Sequence, residues 1–150
     1  MDEKYLACRK KAMTLLNHND RTEWELRDRL QRADFEEDVI EDAIAYVKSF
    51  HYIDDLRYAT RFAEIYSQTR SIQRIRQDLQ KRHVSEEYIS IALESISYDD
   101  TEALRKELDR QLRKYSMPLE ELSYEEKQKI AGRLYRKGFR TKDIFSEMEK

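Results

Sequence analysis

Apolar residues recur along this chain three and four positions apart, the spacing of a helix face rather than the alternation of a strand. Tyr5, Cys8, Ala12, Leu15 and Leu16 mark one face of a first helix, which breaks at Asn17-His-Asn-Asp20. Thr22-Glu-Trp-Glu25 has the form of a capping box, with a hydroxyl for the third amide of a helix and a Glu reaching back. A short second helix follows with Leu26 and Leu30 inward. The chain turns at Ala33-Asp34, and Phe35, Val39, Ile40, Ala43, Ile44 and Val47 mark a third helix.

The same order returns. Asp54-Asp55 opens a helix with Leu56, Ala59, Phe62, Ala63 and Tyr66 inward. Ser71 caps a short helix with Ile75 and Leu79, and Ser85-Glu-Glu87 starts another with Tyr88, Ile89, Ala92, Leu93 and Ile96 inward. It returns again. Asp99-Asp100 precedes Ala103, Leu104, Leu108 and Leu112. The capping box Ser123-Tyr-Glu-Glu126 precedes Ile130 and Leu134, and a last helix carries Ile144, Phe145 and Met148. Leu26, Ile75 and Ile130 correspond, as do Leu30, Leu79 and Leu134, at offsets of 49 and 55 residues. Asp34, His83 and Gly138 share one column just past the middle helix, where left-handed backbone is expected. The expected fold is all-α: three tandem three-helix repeats, residues 1–50, 51–97 and 98–150, in an elongated, curved array.

Composition sharpens this picture. Two Gly and one Pro leave little material for strand turns. Charged residues, at 40%, match the 39% apolar residues, which suits thin modules better than one compact globule. Ten Tyr and five Phe argue against disorder. The lone Cys8 excludes an internal disulfide and sits on an apolar helix face, as a core residue does. The charged N-terminus lacks the apolar segment of a signal peptide, and no apolar run nears the ~20 residues of a membrane span. A soluble, cytoplasmic chain is expected.

Catalytic chemistry finds no footing. Gly132 and Gly138 cannot make a phosphate-cradling loop. His18, His51 and His83 lack metal-ligand spacing, and no Ser/His/Asp motif is present. The acidic pairs at 54–55 and 99–100 fit helix starts better than a Mg²⁺ site. A non-enzymatic binding protein without cofactor or metal is expected. Trp24 suits either a stacking platform or packing over the first core.

One charge pattern stands out. Lys127, Lys129, Arg133, Arg136, Lys137, Arg140 and Lys142 fall between residues 127 and 142 with no acid among them. Lys129, Arg133 and Arg136 share one helical face. The second unit has Arg74, Lys81 and Arg82 at equivalent positions, with Asp78 where the third has Arg133. The first unit, with Glu25, Arg29, Arg32 and Ala33, is weaker there. Such a stripe faces acids, on a phosphate backbone or a protein. The net charge of −2 gives the whole molecule no general pull on nucleic acid.

The chain resembles the RecX family, bacterial regulators of the RecA recombinase. Asp54-Asp-Leu-Arg-Tyr-Ala59 is similar to the family's acidic-pair motif. Thr22-Glu-Trp-Glu-Leu-Arg-Asp-Arg-Leu30, Arg76-Gln-Asp-Leu79 and Lys129-Ile-Ala-Gly-Arg-Leu-Tyr-Arg-Lys-Gly-Phe139 resemble its successive units. The family often has Lys-Gly where this chain has Ala33-Asp34 and Arg82-His83. The resemblance implies a monomeric inhibitor that binds along the groove of RecA–DNA filaments, touches several protomers, and suppresses ATPase, strand exchange and coprotease activity. Weak direct DNA contact accompanies this, and no membrane contact does. The expected contact residues are Arg74, Lys81, Arg82, Lys129, Arg133, Arg136, Lys137 and Arg140. Two rival classes fit the same residues: a non-specific nucleic-acid-binding helical array, marked by steep salt dependence of DNA affinity, and a generic helical adaptor, marked by another protein target.

Overall fold

The computed structural model describes residues 2–150. Nine α-helices are present among them: α1 Glu3–His18, α2 Glu23–Arg32, α3 Glu37–Ser49, α4 Asp55–Tyr66, α5 Ile72–Lys81, α6 Glu86–Ser95, α7 Thr101–Leu112, α8 Tyr124–Arg136 and α9 Thr141–Met148. A 3-10 turn at Leu119–Glu121 occupies the long link before α8. The described residues contain no strand.

Caps set the helix starts. The Thr22 and Ser123 boxes form as the sequence predicts, each hydroxyl accepting from the third amide while Glu25 or Glu126 returns to the cap. Asp54, Ser71 and Ser85 accept from Arg57, Arg74 and Tyr88 amides at 3.0–3.2 Å. Each such cap contributes about 1 kcal/mol.

The three middle helices end alike. Asp34, His83 and Gly138 have φ of 66°, 58° and 101°. The next amide reaches back five residues, Phe35 to the Leu30 carbonyl, Val84 to Leu79 and Phe139 to Leu134, at 3.2–3.3 Å. This is the Schellman end, with an apolar residue folding under the helix it closes.

Three cores result. Leu26, Leu30, Ile40, Ala43 and Ile44 anchor the first; Ile75, Leu79, Ile89 and Leu93 the second; Leu104, Ile130, Leu134 and Ile144 the third. All substantial helix-to-helix packing lies within these units: α1 with α3, α4 with α6, α7 with α9, and each middle helix with its neighbours. The accessible surface of 9718 Å² exceeds the roughly 8,100 Å² of a compact monomer this long, as an extended array requires. Cys8 is fully buried in the first core. Burial, with the charge of Asp42, raises its thiol pKa to about 11.

Two inward assignments differ from the structure. Tyr88 is 36% and Phe145 42% exposed. Phe145 lies one residue past Ile144 and so about 100° around α9, off its single core stripe. Tyr88 sits in the first turn of α6 and lines a cleft between the first two units. No helix of the described residues is long and apolar enough to cross a membrane.

A Cβ added at Gly138 would meet the Ser71 Oγ at 2.5 Å on a backbone at φ 101°. Gly138→Ala is expected to cost about 1–3 kcal/mol in urea unfolding, through strain and the disturbed cap. An unchanged midpoint would contradict this close approach.

Candidate partner-binding surface

The units meet through the ends of their middle helices. Thr22 Oγ1 accepts from the Glu25 amide at 3.2 Å and donates to the Arg82 carbonyl, the end of α5, at 2.9 Å. Ser71 Oγ accepts from the Arg74 amide at 3.0 Å and donates to the Lys137 carbonyl, the end of α8, at 2.8 Å. The N-termini of α2 and α5 thus rest on the C-termini of α5 and α8. A hydroxyl suits this place because it can accept and donate at once, which a carboxylate cannot. Both hydroxyl residues are buried, at 0% and 1% exposure.

The acidic pairs complete the joints. Asp54 and Asp99 cap locally, accepting from the amides of Arg57 and Thr101. Asp55 Oδ1 and Asp100 Oδ2 instead cross to the preceding unit and accept from the Glu23 and Ile72 amides, at 2.9 and 2.8 Å. Burial pushes both crossing carboxyls up in pKa, and these amides oppose it. The described residues hold no cluster of three or more His, Cys, Asp or Glu arranged for a metal. Trp24 stacks on His83 across the first joint, with ring centroids 4.1 Å apart. At the second joint Gln73 and Gly138 stand in those places, and a side chain at 138 would have no room.

The structure sorts the basic residues. Lys81, Lys129 and Arg136 are exposed, with no ion pair among the described residues. Lys81 and Arg136 occupy the same place in successive repeats, at the last residue of α5 and of α8. The others are already engaged. Arg74 pairs with Asp78 at 3.0 Å, and Arg70 reaches the same buried carboxylate at 2.7 Å. Arg133 contacts the Gln111 amide oxygen at 3.5 Å, Lys137 lies 3.5 Å from Glu107, and Arg140 pairs with Asp143 at 3.1 Å. Arg82 turns inward. Its Nη1 donates to the Asp78 carbonyl at 2.8 Å, and its guanidinium carbon lies 4.9 Å over the Phe62 ring. The sequence identifies the charges; which are free depends on acids from other helices, which spacing along one helix cannot show.

Residues 8–46 match the family model for the first three-helix domain of RecX, and residues 54–93 that for the second. The chain is 34% identical over 134 residues to the protein named Regulatory protein RecX of Caldanaerobacter subterraneus subsp. tengcongensis, covering 89% of this chain and 64% of that one. It is 30% identical over 109 residues to the protein of the same name from Vibrio campbellii, covering 72% and 70%. Of the relatives with the same name from Clostridium botulinum strain Eklund 17B and two strains of Clostridium perfringens it spans about half the length, 45–47%. The crystal structure of RecX from Lactobacillus salivarius superposes with a TM-score of 0.82 at 24% identity over 99% of each chain, a likeness of fold.

Burial pushes the Glu107 carboxyl up, but hydrogen bonds from Arg110 and Gln111 and the charge of Lys137 outweigh it and hold the pKa at about 2, against an ordinary 4.5. A carboxyl lowered in this way stabilises the fold fully above its unfolded value and loses that contribution as pH falls through the folded one. The stability gap between the wild type and Glu107→Gln in urea is therefore expected to be constant above about pH 5 and to close towards about pH 2. A pH-independent gap would contradict this network.

Proposed function

Because this chain belongs to the RecX family, we propose that it regulates the RecA recombinase, mainly as an inhibitor. It lies as a monomer along the groove of RecA–DNA filaments in the cytoplasm and slows ATP hydrolysis, strand exchange and coprotease activity. Residues 1–50, 51–97 and 98–150 are the contact modules. Linked modules raise one another's effective concentration on a periodic partner, so contacts that are weak singly add to firm binding.

The observation that carries this reading is the repetition of a free cation on units joined end to end. Lys81 and Arg136 recur at one place in the repeat, and Lys129 extends the second of these patches. The α2, α5 and α8 helices amount to about 50 Å laid end to end, a span for several sites on a filament rather than one. Arg74, Arg133, Lys137 and Arg140 serve secondary roles, because each already has an internal partner. Arg82 supports the fold. Direct contact with the DNA backbone is weak, since the chain as a whole carries a charge of −2.

The test is ATP hydrolysis by recombinase assembled on single-stranded DNA. The double variant Lys129→Glu, Arg136→Glu is expected to need about tenfold more protein for half-inhibition, with an unchanged helical circular dichroism spectrum. Inhibition equal to the wild type would remove α8 from the contact. Loss of inhibition together with tight, salt-sensitive binding to bare DNA would favour a nucleic-acid-binding array.

A further inference from the structure

Beside α4, the first joint carries a groove far wider than its counterpart beside α7 at the second. It measures ≈ 380 Å³ and is lined chiefly by Tyr58, Arg61, Phe62, Ile65 and Tyr66 of α4, with Arg82 across it. Its floor is apolar. Tyr58, Phe62 and Tyr66 follow one another at centroid distances of 6.2 and 4.6 Å; Phe62 is buried beneath, the Arg70 guanidinium lies 3.7 Å over Tyr66, and Ile65 is 67% exposed beside them. Its rim is cationic, with one acid. Arg61 is exposed and reaches only Asp20, at 3.5 Å.

The repeat supplies an internal comparison. Aligning Asp54-Asp55 with Asp99-Asp100 places Phe62 where the third unit has Glu107, Ile65 where it has Arg110, and Tyr66 where it has Gln111; Arg82 corresponds to Lys137. In the third unit Glu107 gathers Arg110, Gln111 and Lys137 around one carboxylate, and the cleft there shrinks to ≈ 60 Å³. In the second unit that carboxylate is replaced by an aromatic ring. Arg82 spends one nitrogen on the Asp78 carbonyl, and its buried Nε has no partner. The same architectural position is self-satisfied in one unit and lacks its anion in the other.

We propose that this groove docks an extended acidic segment of a partner protein, with one large apolar side chain over Ile65 and the half-buried Tyr58 and Tyr66 and a carboxylate against Arg61. An aliphatic side chain beside an aromatic floor suits an apolar anchor rather than a phosphate. Arg61, exposed and held only by Asp20 at 3.5 Å, is the cation that the acid of such a segment meets. The proposal rests on the preceding functional reading for the identity of the partner, a recombinase protomer, and not for the chemistry of the groove.

Two measurements test it. The first is fluorescence anisotropy with a fluorescein-labelled octapeptide of Asp and Glu around a central Phe-Leu pair. Ile65→Glu and Arg61→Glu are each expected to weaken its binding about tenfold, and Lys114→Glu, an exposed cation after α7, to leave it unchanged. Circular dichroism confirms that each variant is folded. No binding to the wild type, or binding indifferent to both groove substitutions, overturns the proposal. The second places a benzophenone photocrosslinker at residue 65 and irradiates the chain on recombinase filaments. A crosslink to the recombinase supports the proposal. Its absence from filaments that the chain still inhibits overturns the recombinase as occupant and leaves the functional reading standing. A wild type that does not inhibit at all sinks the functional reading, and the peptide measurement then decides the groove by itself.

Discussion

Two hydroxyls hold the array together. Each unit has a core of only nine or ten buried residues, and helix packing scarcely crosses from one unit to the next. The joints are instead made of helix-end polar groups, which every helix leaves unsatisfied and which burial makes costly. Thr22 and Ser71 stand between two helices and serve both, accepting from one and donating to the other. Asp55 and Asp100 take a further amide at each joint. Because a helix N-terminus there faces a C-terminus, the helix dipoles also align favourably across the joint. A single neutral hydrogen bond of this kind contributes about 1 kcal/mol net, so the joint is held by several matched groups and not by area.

Much of the fold is legible in the sequence, for an identifiable reason. Helix faces, capping boxes and left-handed ends are local, and each leaves its mark within four or five residues. The column Asp34, His83, Gly138 reads correctly because few residue types tolerate positive φ. His51 and Ser97 adopt the same backbone after the third helices, where no glycine in a repeated column marks it. The joints are not local. Thr22 reads as an ordinary cap, and its second bond, to a carbonyl 60 residues away, has no sequence signal. The acidic pairs read as caps, which holds for their first members only. Trp24, open between stacking platform and core packing, lies against His83 at the joint and remains 42% exposed.

The candidate surface shows the same division. Charge density along residues 127–142 is plain, whereas the answering acids come from elsewhere: Glu107 from α7 for Lys137, and Asp143 from α9 for Arg140. Eight candidate cations reduce to three free ones, Lys81, Lys129 and Arg136. The repeat also makes the units comparable position by position. Phe62 in place of Glu107 changes an ionic cluster into a buried aromatic ring beneath a wider groove. One three-helix plan therefore presents different chemistry at successive places.

The most direct test of the account is electron cryomicroscopy of recombinase filaments on single-stranded DNA saturated with this protein. One continuous chain is expected along the groove, its three units still stacked through Thr22 and Ser71, with α5 and α8 facing more than one protomer. Density confined to a filament end, or units parted at these joints and bound separately, would contradict it.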